Sequence, residues 1–182
     1  TIEAWIRPSS LDGNYHSFIS QWGNLNDRNF EFDLRGDAGN AFRFYQNFNG
    51  TTRSITSETV AKDDEWHHLA FVRDGNTGKL FVNGVLEAIN TSWSGTPNNS
   101  STTVTIGGYG ATPSAGAGAW YGWIQDLRIY NGVAKYRTGF KVPNHFNSSG
   151  HSAWQAVADT PVNNFATLNE YFATPVIVGA YS

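Results

Sequence analysis

The chain has no cysteine, which removes disulfides and thiolate chemistry from consideration. Extracellular animal domains of this size often carry disulfides, so the absence points toward a microbial or cytosolically assembled protein. Charge is scarce as well. Charged residues make up 15% of 182 and the net charge is −3, so there is no basic footprint for nucleic acid. No apolar run approaches the roughly 20 residues of a membrane helix. Nucleic acid and membrane insertion are therefore both set aside as partners. No signal-peptide pattern opens the sequence, which starts at Thr1 inside a strand-like alternation. Helical periodicity is missing too, apart from two turns at most over residues 152–158. Without a helix to follow it, no glycine loop can cradle phosphate. No serine stands in a nucleophile-elbow sequence.

What remains is glycine (19 residues) and aromatic side chains (15%), the composition of a turn-rich β protein. A chain of this length suits one sandwich domain with a small appendage, burying about 70% of its unfolded surface. Trp66-His-His-Leu-Ala-Phe-Val-Arg-Asp-Gly-Asn-Thr-Gly-Lys-Leu-Phe-Val-Asn-Gly-Val-Leu-Glu-Ala-Ile89 spells an antiparallel meander. Asp74-Gly75, Thr77-Gly78 and Asn83-Gly84 supply the positive φ angles its turns need. Period-two alternation and turn clusters predict strands over 1–7, 17–22, 29–35, 41–46, 53–57, 66–73, 79–82, 85–89, 104–107 and 123–130. Residues 90–103 and 107–119 read as long loops, and long loops in compact domains are functional or mobile.

Three of these blocks, Thr1-Ile-Glu-Ala-Trp-Ile-Arg-Pro8, the Trp66 to Gly84 meander and Gly122-Trp-Ile-Gln-Asp-Leu-Arg-Ile-Tyr-Asn131, resemble the laminin-G-like, concanavalin A-like lectin jelly roll. The likeness runs over residues 1–148 and implies an all-β, two-sheet antiparallel sandwich with little or no helix. In that family a strand precedes the one at Thr1. The chain is thus expected to lack its first strand, as a segment of a longer protein or a processed one. Residues 149–182 form a C-terminal extension with one expected strand at 175–179. Asn131-Gly-Val-Ala-Lys-Tyr-Arg-Thr-Gly-Phe-Lys-Val-Pro143 resembles a stretch of phage lectin-like domains, and Asp159-Thr-Pro-Val-Asn-Asn-Phe-Ala-Thr-Leu-Asn169 resembles one that follows sandwich domains in tailed-phage virion proteins.

Some enzymes on this fold are retaining glycosidases with a Glu-x-Asp-x-x-Glu strand. Here Glu31 and Asp33 share a strand face, but Arg35 and Gly36 stand where a second glutamate would be. A retaining hydrolase needs two carboxyls about 5 to 5.5 Å apart, and the pair with Arg35 reads as a solvated strand face. His67 and His68 point to opposite faces and cannot share a metal. The expectation is one histidine on the surface and one packed inside. The family resemblance implies a structural calcium ion, with Asp126 at a matching acidic position. Pairing of Asp126 with Arg128 is the alternative.

Sugars present apolar C–H faces and hydroxyls, so a lectin site combines aromatic platforms with hydrogen-bonding loops. The loop aromatics Tyr15, Trp93, Tyr109, Trp120 and Tyr121, with Asn98 and Asn99, are the carbohydrate-binding candidates. Trp5, Trp66 and Phe71 lie on signature strands and are assigned to the core. Together these features predict a non-enzymatic structural protein of a phage virion, tail fibre or capsid-surface, located on the particle. Its expected partners are host-surface polysaccharide, other virion proteins and further copies of itself. The alternatives are an adhesion module of a larger secreted microbial protein and a glycoside hydrolase.

Overall fold

A computed structural model describes residues 1–23, 27–110 and 118–144. The strand expected at 175–179, the turns at 152–158 and the phage-like stretch at 159–169 lie outside the described residues. All ten expected strands are present: β1 (Ile2–Pro8), β2 (Tyr15–Trp22), β3 (Arg28–Arg35), β4 (Ala41–Phe48), β5 (Thr51–Val60), β6 (His67–Asp74), β7 (Thr77–Val82), β8 (Val85–Asn90), β9 (Thr105–Ile106) and β10 (Gly122–Ile129). Among the described residues the only helical element is a 3-10 turn, Gly36–Ala38. The strands form two five-stranded antiparallel sheets, in the orders β10-β1-β6-β7-β8 and β5-β4-β3-β2-β9. This is the expected jelly-roll sandwich.

Alternation along each strand fills the space between the sheets. Ile2, Ala4 and Ile6 of β1 and Leu69 and Phe71 of β6 meet Phe30, Phe32 and Leu34 of β3 and Phe42 and Phe44 of β4. Phe44 and Phe71 stack across the gap at 3.6 Å between centroids. On β10 the inward residues are Ile124 and Leu127, three apart where a regular strand allows two. A bulge opposite Ala4 absorbs the extra residue, with Asp126 at φ +55°.

The outer face of the first sheet is also covered. Ala70, Val72 and Phe81 point away from the main core and are roofed by Ala134, Tyr136 and Phe140. Tyr136 and Phe140 stack at 3.5 Å. The roof is tied down where the Phe140 amide donates to the Gly84 carbonyl at 2.9 Å. A Cβ at Gly84 would sit 2.1 Å from the Phe140 oxygen, so this turn needs glycine for contact as well as for φ. Lys135 reaches under the roof to Glu3 at 2.5 Å.

This second layer corrects the expectation for the histidine pair. The two rings do face opposite ways, but neither is on the surface. His67 packs on Phe42 between the sheets, and His68 lies between Trp5 and Phe140 beneath the roof. Burial pushes the His68 imidazole down to about 4, against the opposing pull of Glu3. Trp5 and Phe71 are buried as expected, and Trp66 is half-buried.

The loop after β8 turns inward at Trp93, whose ring is fully buried against Phe71, Phe44 and Phe48. Its indole N–H donates to Gln46 at 2.8 Å, and only a glycine fits beside it at position 78. Removing such a ring leaves a large cavity and an unpaired glutamine oxygen. Trp93→Ala is expected to lower stability by about 3–5 kcal/mol, read from denaturant midpoints. An unchanged midpoint would contradict the ring's role as an end plug of the sandwich.

Candidate functional site

The outer face of the second sheet carries polar and aromatic residues in register. Because Phe30, Phe32 and Leu34 point inward, Glu31 and Asp33 point outward on β3. Opposite them on β4 stand Tyr45 and Arg43, and on β2 stand Ser20 and Ser17. Tyr15 and Trp22 close the two ends of β2, and the loop after β9 adds Tyr109 and Gly118. Tyr15, Trp22, Glu31, Arg43, Tyr45, Tyr109 and Gly118 line an open cleft of about 400 Å³. The Trp22 ring meets Tyr45 edge-on at 4.9 Å and Tyr109 at 5.8 Å. Arg43 sits 5.4 Å from the rings of both Tyr15 and Tyr45, and Arg28 lies 4.6 Å over Trp22.

The floor of the cleft holds two buried carboxyls. Arg43 donates its Nε to Asp33 Oδ1 at 3.0 Å and a terminal N–H to Oδ2, a two-pronged pair. The same guanidinium lies 3.8 Å from Glu31 Oε2, while the Ser17 hydroxyl donates to Glu31 Oε1. Glu31 is 5% exposed. Burial, and then the charge of Asp33, push its carboxyl up to about 7, against Ser17 and Arg43. Burial raises Asp33 as well, but the Arg43 fork favours its ionised form. The Arg43 fork therefore favours the charge on Asp33, and Glu31 is the member of the pair on which a proton is favoured. This corrects the expectation of a solvated face neighbouring Arg35. The face is covered by rings, and Arg35 turns instead to Asp37, at 3.0 and 2.6 Å.

Three side chains fix the walls. His16 holds the Ala119 carbonyl through Nδ1 and Asp12 Oδ1 through Nε2, both at 2.7 Å. The ring thus has both nitrogens engaged. It fastens the end of the Tyr109 loop to β2. Asp27 accepts from the Ser101 amide and hydroxyl, both at 2.7 Å, and from the Thr102 hydroxyl at 3.0 Å. This pins the loop of residues 91–103 to the start of β3. The Tyr15 hydroxyl donates to Asp37 at 2.7 Å, which orients the ring at the opposite end.

Of the aromatic candidates, Tyr15 and Tyr109 share the cleft and are 40% and 38% exposed. Trp93 and Trp120 are corrected to the core, the latter packing on Phe18 at 5.8 Å. Neither ring has a free face for a sugar. Tyr121 is exposed beside His16 but does not line the cleft. Asn98 hydrogen-bonds Arg28 and Asn47 through its side chain and backbone, and Asn99 is exposed; neither reaches the cleft. Trp22, Tyr45 and Arg43 were missed because they sit on strands, where aromatic residues read as core. Their outward register was the available signal.

Asp126 takes the alternative offered by the sequence: its two oxygens accept from Arg128, at 2.9 and 2.7 Å. Among the described residues no three His, Asp, Glu or Cys side chains cluster as metal ligands. A retaining hydrolysis site is likewise incomplete, since Asp33 is held by Arg43 and positions 35 and 36 supply no carboxylate.

The shared proton has a measurable consequence. Glu31 ionises near 4.5 in the unfolded chain and near 7 in the fold, so its contribution to stability falls as pH rises through that window. Glu31→Gln keeps the acceptor for Ser17 and removes the dependence. Relative to wild type it should gain on the order of 2–3 kcal/mol between pH 5 and pH 8, measured by denaturant unfolding. Parallel pH profiles for the two proteins would contradict a proton held at Glu31.

Comparisons with known proteins agree with this architecture. Residues 1–135 match the family model described as the concanavalin A-like lectin/glucanases superfamily, of laminin-G type. Among solved structures, the chain resembles a candidate carbohydrate binding protein of Bacteroides ovatus (TM-score 0.57, 15% identity, 74% of this chain and 37% of that one). It also resembles the CBM40 of a Ruminococcus gnavus sialidase bound to α2,3-sialyllactose (0.52, 19%, 66% and 69%). A third likeness is to domains LG4-5 of the mouse laminin α1 chain (0.52, 15%, 79% and 40%). At these identities the likeness is one of fold, and the chain spans little more than a third of the Bacteroides protein. No curated protein matches the sequence. With the family match running over residues 1–135, the chain belongs to the concanavalin A-like lectin/glucanases superfamily.

Proposed function

We propose that this domain binds carbohydrate, without cleaving it, in the cleft on the outer face of the second sheet. The observation that carries the reading is the cleft itself. Three partly exposed rings, Tyr15, Tyr45 and Tyr109, with the buried Trp22 packed against the last two, surround a floor of Glu31 and Arg43. Rings offer faces for sugar C–H groups, and the floor offers polar groups for hydroxyls. A saccharide chain can enter because the cleft is open to solvent. The carbohydrate-binding neighbours of similar fold support the same reading. The incomplete carboxylate set argues for binding over hydrolysis.

The biological setting we propose is the surface of a phage virion, where the domain meets host polysaccharide. Support comes from the stretch at 131–143, which resembles phage lectin-like domains, and from that at 159–169, which resembles a sequence following such domains. Many copies on one particle would turn weak single sites into firm attachment. An antibody against the domain is expected to label intact particles.

Binding is tested on a glycan array followed by calorimetry on the best ligand. Tyr15→Ala combined with Tyr109→Ala should weaken affinity at least tenfold, about 1.4 kcal/mol. The melting temperature should hold, because both rings are partly exposed. Trp123→Ala alters an exposed ring on β10 in the other sheet and should leave affinity unchanged. Loss with Trp123→Ala and retention in the tyrosine pair would move the site away from this cleft.

A further inference from the structure

Resting on the carbohydrate-binding reading, we infer that the cleft takes a run of linked sugars on two aromatic platforms, Tyr15 at one end and Tyr45 with Tyr109 at the other, with Arg43 beneath the linkage between them. Register along β3 sets the spacing. Tyr15 stands opposite Arg35, Ser17 and Arg43 stand on either side of Asp33, and Ser20 and Tyr45 flank Glu31. Tyr15 and Tyr45 therefore lie two outward columns apart, with Arg43 in the column between. At the rise of a strand, the step from Arg35 to Glu31 is about 13 Å. The rings lean inward over that distance, since each centroid is 5.4 Å from the Arg43 guanidinium carbon. Their centres are at most twice that far apart.

The column between the platforms is filled. Arg43 donates Nε and a terminal N–H to Asp33, a fork that holds the guanidinium in the gap. Its side chain is only 15% exposed. A single pyranose, a ring about as wide as that of tyrosine, therefore cannot be clamped between Tyr15 and Tyr45. It covers one platform and leaves the other in water. A ligand that covers both must cross above Arg43, which takes at least two linked sugars. Each platform is also fixed before a ligand arrives. The Tyr15 hydroxyl is held by Asp37 at 2.7 Å. At the far end Trp22 packs on Tyr45 and Tyr109, at 4.9 and 5.8 Å. Tyr109 is further confined by Gly118, where an added Cβ would lie 2.6 Å from its own. Rings already in place need little further ordering, and once the first sugar is bound its neighbour reaches the second platform within one molecule.

The test uses the 182-residue chain and a size-fractionated series, monosaccharide to hexasaccharide, made by partial acid hydrolysis of the polysaccharide that binds best on the array. In calorimetry, affinity should rise at least tenfold from monosaccharide to trisaccharide and level off within a few units beyond. That ratio should shrink severalfold in Tyr15→Ala and persist in Trp123→Ala. The wild-type series alone decides the matter if the tyrosine variant folds poorly. A monosaccharide that binds as tightly as the trisaccharide, or a length gain that survives in Tyr15→Ala, would overturn the inference. Binding without a length gain, yet lost in the Tyr15 and Tyr109 double variant, would overturn it too while sparing the cleft as a sugar site. If no glycan of any length binds, the carbohydrate reading fails along with it.

Discussion

One guanidinium, that of Arg43, serves two buried carboxyls, and the character of the cleft depends on that shortage of positive charge. A single ionised pair, Asp33 with Arg43, can be buried because the fork satisfies both oxygens. A second charge beside it has no such partner, and desolvation then favours the neutral acid at Glu31. The aromatic walls cause part of this desolvation. Tyr15, Tyr45 and Tyr109 cover the strand face that alternation alone would leave in water. A binding surface and an unusual acid thus have one cause, the roofing of β3 and β4 by rings.

The two sheets solve the same problem in different ways. The outer face of the first is closed by residues 134–140, whose rings pack on Ala70, Val72 and Phe81. The outer face of the second stays open as a cleft between β2, β4 and the Tyr109 loop. Its walls are held by hydrogen bonds rather than by a second core, with His16 and Asp27 as the main fasteners. Exposed loops held by a few polar clamps can adjust to a ligand at small cost. The shared core beneath keeps the floor residues in register.

Strand positions were legible because the sequence alternates cleanly and marks its turns with Asp-Gly and Asn-Gly. Each observed strand lies within a few residues of its expected span. Bulges were not legible, since Ile124 and Leu127 carry no local sign that Asp126 adopts φ +55°. Nor was the second layer. Nothing local to His67-His68 or to Glu31-x-Asp33 reveals that residues 134–140 cover the outer face of β6, or that rings cover the outer face of β3. The site was half visible for the same reason. Tyr15 and Tyr109 stood out as loop aromatics, whereas Trp93 looked alike and plugs the core. Trp22, Tyr45 and Arg43 gain their role only from cross-strand register, a property of the fold and not of any one segment.

The most direct test of the cleft as a sugar site is residue-resolved nuclear magnetic resonance on the labelled protein, titrated with the best-binding oligosaccharide. The account predicts saturable shifts at the Trp22 indole N–H and the Gly118 amide, with the side chains of Tyr15, Tyr45 and Tyr109 following the same isotherm. The Trp93 and Trp123 indoles should stay still. Shifts centred on Trp123, or at the end of the sandwich near Ile129 and Val133 while the cleft stays silent, would contradict it.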